Sequence, residues 1–396
     1  MLARDDKNTS VDWVARAAAL APMIAAAADR IEAERRIVPE VVAALHEAGL
    51  FRMLLPLQFG GGAADIVAFN QVIETVATAD ASTAWCLAQQ VASTQASGFL
   101  DPNVAMEIFA APGGAVAWGP PSGAKAVVTD GGYLVNGKWR FASGSGHCPW
   151  IGGHCAVIEA DGKPRLDAHG HPVMRTMLFK KEQATFQDIW HVIGLRGTGS
   201  NGYEVRDLFV PAAYSTWRDS VPDRRGDAPL SDIPLLTLYG MGFSGVALGL
   251  ARASLDAFMK LAATKMPSAT HGKPIPLREH PVIQARVAEA TGQLQSARAY
   301  LLDLLHVFWD AAMAKRPVAL EQRAQLRVAI TGAIEQSARV VDFAYRAAGA
   351  NAIFQGSPFE RRFRDMHTVT AQGQAHLSNF EGAGQALFGI ETAQRL

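Results

Sequence analysis

Three long stretches, residues 235–263, 280–314 and 320–348, carry apolar side chains at helical spacing, and the later two hold hardly a glycine. Helices of that length bury their apolar stripes against one another, which predicts an antiparallel bundle at the end of the chain. Residues 11 to about 115 also read as helices: Val14 to Glu34 is Ala-rich and amphipathic, Pro39 to Ala48 starts at its proline and stops at Gly49, and Asp65 to Gln95 is interrupted by a break or cap at 79–83. Between these parts the character changes. From about Val116 to Pro211, short β-prone runs at 127–129, 133–135, 139–141, 155–158, 176–179 and 205–210 are spaced by Gly, Asp and Pro. The expectation is an α+β, mostly α chain in three parts: an N-terminal helical domain (1–115), a middle β-sandwich or barrel domain (116–232) and a C-terminal four-helix bundle (233–396). Its polar residues make 212–232 the connection into the bundle.

Within the middle part, Gly131 to Trp150 is the informative stretch. Gly131-Gly132 reads as a tight turn, Tyr133 to Val135 as an extended segment, Asn136-Gly137 as a second turn and Lys138 to Phe141 as the returning strand of a hairpin. The small residues Ala142 to Gly146 that follow would let a flat ligand lie against the backbone, with a hydroxyl available to a ring nitrogen. Gly60-Gly61-Gly62 reads as a flexible turn, and Gly194 to Ser200 as a wide turn without the strand-then-helix setting of a phosphate loop.

Composition narrows the function classes. Lys+Arg and Asp+Glu are both 37, so no basic field attracts nucleic acid or an anionic membrane. Cys86, Cys148 and Cys155 form no C-x-x-C pair and fit a reducing cytosol. The first ten residues carry no apolar signal core, and the Ala-rich run 14–28 is broken by Asp29-Arg30 before it could span a membrane. A soluble, cytoplasmic protein is expected. His147, His154, His169, His171 and His191 follow no metal-ligand spacing, so no metal site is expected.

The order of the three parts and several strings resemble the acyl-CoA dehydrogenase superfamily over nearly the whole chain. Those strings are Leu54-Leu55-Pro56 with Phe59-Gly60-Gly61, the run from Gly137 to Gly144, Gly194 to Ser200 before Leu208 to Pro211, and Arg361 to Asp365. Ala81 to Trp85 and Trp139 to Gly144 bring the likeness closer to the branch of two-component, reduced-flavin-dependent monooxygenases that act on aromatic rings. That resemblance implies reduced FMN or FAD as cofactor, a separate flavin reductase, a small aromatic substrate with O2, and a homotetramer. It also implies cofactor contacts from Trp118, Gly119 and Pro120, from Trp139, Phe141, Ala142 and Ser143, and from Arg362, Arg364 and Asp365, with Ser143 near flavin N5.

A flavin that holds oxygen needs dry, apolar walls, which Trp118, Trp139, Phe141 and Trp150 are expected to supply, and a base or donor beside the substrate. His376 is the candidate for the latter. Aromatic hydroxylases of the branch carry a histidine where this chain has Gln372, and His376 lies one helical turn further on. A rival reading is an acyl-CoA dehydrogenase with Glu381, in Phe380-Glu381-Gly382, as the base. Against it, the segment Thr270 to Pro274 lacks the arginine expected to grip a cofactor pyrophosphate, for which Lys265 is the partial substitute. A third reading is a scaffold that binds flavin without chemistry.

Overall fold

The protein is described by a computed structural model over residues 11–218, 220, 222–266 and 275–391. Among the described residues five helices come first: α1 (Trp13–Glu34), α2 (Pro39–Glu47), α3 (Ile66–Ala79), α4 (Ala81–Ser93) and the single turn α5 (Pro102–Ala105). Side-chain caps set several boundaries. Asp12 accepts the Ala15 N–H at 2.8 Å to open α1, and α2 begins on its proline. Asp80 is the one residue between α3 and α4. Its extended backbone ends the first helix, and its carboxylate accepts the Thr83 N–H at 2.7 Å to start the second.

Eight strands follow among the described residues: β1 (Val116–Trp118), β2 (Lys125–Thr129), β3 (Gly132–Ala142), β4 (Trp150–Ile158), β5 (Met174–Lys180), β6 (Thr185–Gln187), β7 (Asn201–Pro211) and β8 (Ser215–Thr216). They form one mixed sheet in the order β6-β7-β3-β2-β4-β5-β8, with β1 parallel to β4. Its core gathers Trp139, Tyr203, Met177 and Val135.

The chain closes with α6 (Leu235–Thr264), α7 (Pro281–Met313), α8 (Leu320–Ala348), α9 (Pro358–Val369) and α10 (Ser378–Leu387). One apolar core joins both helical parts, running from Ala17 on α1 through Phe69 and Val91 to Val246, Leu305 and Ala375. Helix α6 is apolar and long enough to cross a membrane, but most of it is buried inside the protein. It approaches α3 closely, since a Cβ at Gly249 would collide with the Glu74 carbonyl oxygen. That same Glu74 is buried and holds both Arg252 and Arg298, tying α3 to α6 and α7.

Two expectations are corrected. Asn136-Gly137 is not a hairpin turn; β3 runs straight through it as one eleven-residue strand, and the β2–β3 turn lies at Asp130-Gly131. What the two residues make is an irregularity against β7, where the Asn136 amide pairs with Asp207, donating to its carboxylate at 2.9 Å and accepting its N–H at 3.0 Å. The side chain locks a bulge, so turn-forming chemistry is used inside a strand. Gly60 to Gly62 is a packed turn, not a flexible one: a Cβ at Gly61 would strike the Leu55 carbonyl, and one at Gly62 the Trp13 ring. Finally, the short strands β1, β6 and β8 carry too few residues to announce themselves by pattern. The segment Thr270 to Pro274 and the first ten residues lie outside the described residues.

Candidate active site

The last residues of β3 depart from regular alternation. The register against β7 shifts between Trp139 and Ala142, so Arg140 and Phe141 are both exposed in succession. Phe141 sits at φ 66°, a left-handed conformation that a bulky side chain adopts only when its surroundings force it. The bulge turns the Phe141 ring outward, 56 % exposed, where it meets Trp190 edge-on at 6.1 Å. Ile193 is exposed beside this pair in sequence, on the approach to the turn at Leu195.

Immediately after Phe141 the chain turns inward. Ser143 is buried, and its Oγ accepts the Trp85 indole N–H at 3.0 Å and lies 2.7 Å from Ser200 Oγ. Ser200 Oγ in turn is 2.7 Å from Thr198 Oγ1, which donates to the Leu195 carbonyl at 2.8 Å. The Ser143 carbonyl accepts from Gln90 Nε2 at 3.4 Å, while Gln90 Oε1 is 3.0 Å from His147 Nε2. Burial pushes the His147 pKa down to about 3, so this imidazole stays neutral and serves as a hydrogen-bonding group.

A stack of rings rises from the same point. Trp85 lies flat on Phe243 with centroids 4.0 Å apart, Phe243 on Tyr239 at 6.2 Å, and the Tyr239 hydroxyl accepts the Trp118 indole N–H at 2.6 Å. The Arg218 guanidinium covers Trp118 at 4.5 Å. Helix α4, helix α6 and strand β1 thus meet through aromatic faces, and Ser143 is pinned to the end of that stack.

The expected site residues divide accordingly. Ser143 and Phe141 stand together at the bulge, and Trp118 belongs to the ring stack. Gly119 is packed against β3, where a Cβ would strike the Arg140 carbonyl, and Pro120 is exposed just beyond it. Trp139 is a correction: it is 1 % exposed, stacked on Tyr203 at 5.1 Å inside the sheet core, and has no face left for a ligand. Ala142 is likewise fully buried. Gly144 is corrected too, because a Cβ there would strike Gln90; the bend is small so that α4 can pack on it, not to receive a ligand. Trp150 stacks on Tyr214 at 5.6 Å, away from the bulge.

On α9, Arg364 pairs with Glu32 at 2.7 Å and with Glu360, and Arg362 donates to the Ala253 carbonyl at 3.1 Å. These contacts tie α9 to α1 and α6. Lys265 donates to the carbonyl of Ala348 at the end of α8, a helix-capping role. Asp365 is buried and accepts the Leu195 N–H at 2.6 Å. His376 is exposed and bonded locally to Ser378 at 2.7 Å; the residues before it form a short tight turn, not an α-helix, so the helical relation to Gln372 does not hold. Glu381 is exposed in the first turn of α10. Neither touches the Ser143 cluster within the chain.

The residues that sequence reasoning did not single out are Ser200, Thr198, Gln90, Tyr239 and Phe243. Tyr239 and Phe243 are four apart on one helix, a spacing that puts both rings on one face. Thr198 and Ser200 sit in the wide turn, whose value lies in hydroxyls and not in its glycines.

A strained, outward-facing aromatic adjoins a buried hydroxyl at this corner, residue types suited to an apolar ring that carries one polar nitrogen. Phe141 and Ser143 are the residues that would hold it.

Comparison with known proteins identifies the family. Residues 12–99 match the acyl-CoA dehydrogenase N-terminal domain, and residues 241–376 match the acyl-CoA dehydrogenase C-terminal domain. The fold and site therefore define a protein of the acyl-CoA dehydrogenase type. The flavin-dependent monooxygenase oxygenase subunit HsaA of Mycobacterium tuberculosis is 30% identical over 93% of this chain and 92% of its own length. The indole-3-acetate monooxygenase of Pseudomonas putida is 29% identical over 90% of this chain and 88% of its own. The crystal structure of HsaA from M. tuberculosis superposes with a TM-score of 0.86 at 25% identity, covering 97% of this chain and 98% of that one. The chain belongs to the flavin-dependent monooxygenase branch of the acyl-CoA dehydrogenase superfamily.

Proposed function

We propose that this protein is the oxygenase component of a two-component system that hydroxylates a small phenolic or indolic ring, using reduced FMN or FAD delivered by a separate reductase. It is a flavin-dependent oxidoreductase by its relatives. Bound reduced flavin supplies the two electrons that activate O2; one oxygen atom goes to the ring and the other leaves as water.

The observation that carries the reading is the bulge that turns Phe141 out at φ 66° directly beside the hydrogen-bonded Ser143. Strain of this kind persists where the surrounding structure holds it, and here it creates an apolar landing beside one polar atom. Trp85, Phe243 and Tyr239 keep the adjoining interior free of water, which favours oxygen transfer over loss of hydrogen peroxide. The dehydrogenase alternative has less behind it, because Glu381 is exposed and makes no contact with the cluster. A homotetramer in the cytoplasm completes the proposal, supported by the resemblance and by the exposed apolar side chains Ile353, Phe354, Leu377 and Phe388 at the C-terminal end.

Purified protein mixed with a reduced flavin, oxygen and a phenol or indole should yield hydroxylated product, and an acyl-CoA should not be oxidised. Oxidation of the thioester with no hydroxylation would overturn the reading.

A further inference from the structure

The hydroxyls behind Ser143 have only one consistent direction. A carbonyl oxygen cannot donate, so the Thr198 hydroxyl hydrogen is committed to Leu195 O. Thr198 Oγ1 must then accept from Ser200, which uses the only hydrogen Ser200 has. Ser200 Oγ must in turn accept from Ser143. The Trp85 indole is a donor only, so it occupies one lone pair of Ser143 Oγ. Ser143 is left with a single unused function, one acceptor lone pair, and no hydrogen to give.

From this we propose that Thr198 and Ser200 are redox-selectivity residues: by holding Ser143 as an acceptor, they make the site choose reduced over oxidised flavin. The inference rests on the reading that places the flavin ring at Ser143. In reduced flavin, N5 carries a hydrogen and donates; in oxidised flavin, N5 is a bare lone pair and accepts. An acceptor-only Ser143 satisfies the first and opposes the second, and a buried polar atom left without a partner weakens binding by about tenfold or more. Selection at this atom lets the oxygenase capture reduced flavin from a pool that also contains the oxidised form, and release the ring once it has been oxidised. The end of the relay is itself fixed, because Leu195 is held at φ 51° and its N–H is bound by Asp365.

The relay predicts how to reverse the preference. In Thr198→Val, Ser200 loses its acceptor and turns its hydrogen to Ser143, freeing the Ser143 hydrogen to donate. Ser200→Ala frees that same hydrogen by removing its acceptor. Thr198→Ser preserves the relay. Anaerobic titration of each variant with oxidised FMN, and separately with chemically reduced FMN, gives two dissociation constants and their ratio. The expected result is a ratio that falls about tenfold or more in Thr198→Val and in Ser200→Ala and stays within about twofold in Thr198→Ser. If Ser143→Ala changes the ratio while Thr198→Val and Ser200→Ala leave it at the wild-type value, the relay inference is overturned and the flavin placement stands. If Ser143→Ala changes neither constant, the placement of the ring fails, and this inference with it.

Discussion

Asp365 on α9 accepts the backbone N–H of Leu195 at 2.6 Å, and through that bond the last helices of the chain hold the turn that positions Thr198, Ser200 and finally Ser143. Glu32 of α1 and Asp80 at the start of α4 lie close enough to act on the same carboxyl, and Arg364 partly offsets them. Four segments far apart in sequence are thereby fixed around one buried acid.

Burial raises the Asp365 pKa from its ordinary 3.8 to about 7, with Asp80 and Glu32 raising it further and the Leu195 N–H opposing. The folded protein therefore holds this proton more tightly than the unfolded chain. The contribution is full below 3.8 and is lost as pH rises to about 7. Asp365→Asn keeps an acceptor for Leu195 and carries no charge. Urea unfolding of both proteins across this range should show the variant gaining on the parent as pH rises; a variant that holds level or loses ground to the parent as pH rises would contradict the assignment.

Gly119→Ala should cost about 2 kcal/mol or more, because the added Cβ would strike the Arg140 carbonyl oxygen across from it. The neighbouring Pro120 is exposed, and Pro120→Ala should change stability by no more than about 0.5 kcal/mol. Chemical denaturation midpoints check both, and equal effects would mean that β1 does not press on β3 as described.

Trp85→Phe keeps the stack on Phe243 but removes the indole N–H that Ser143 accepts at 3.0 Å. A double-mutant cycle of Trp85→Phe with Ser143→Ala should return a coupling of about 1 kcal/mol. Additivity would show that the hydrogen bond contributes nothing to stability.

Glu381→Gln should leave aromatic hydroxylation within about twofold, since an exposed residue of this kind seldom has large effects on a site it does not touch. Steady-state rates measured with reduced flavin decide this. A collapse of activity would make Glu381 the base and favour the dehydrogenase chemistry.

How much of this was legible in the chain differs by element. The long helices are found within a residue or so of their periodic stretches: α8 runs from Leu320 to Ala348 and α7 from Pro281 to Met313, because a sustained apolar stripe and a proline start leave few alternatives. Asn136-Gly137 misled because the usual hairpin signal is local, whereas its partner Asp207 lies 71 residues away and decides that the strand continues. The same limit explains the site. Ser143 was visible through its string, but Trp139 two turns of the pleat earlier points into the core, and only the sheet register distinguishes the two. Thr198 and Ser200 acquire meaning from Leu195 and Trp85, contacts that no spacing rule contains. The helical relation of His376 to Gln372 breaks for a different reason: the residues between them form a tight turn, and helical periodicity does not carry across one.

The most direct test of the account is the fate of oxygen. Purified protein is mixed with chemically reduced FMN or FAD and a phenol or indole under isotopically labelled O2, and the products are weighed by mass spectrometry. The account predicts one labelled oxygen atom in the ring product, formed only when the flavin is supplied reduced. Labelled hydrogen peroxide with no labelled ring product, across phenols and indoles alike, would contradict it.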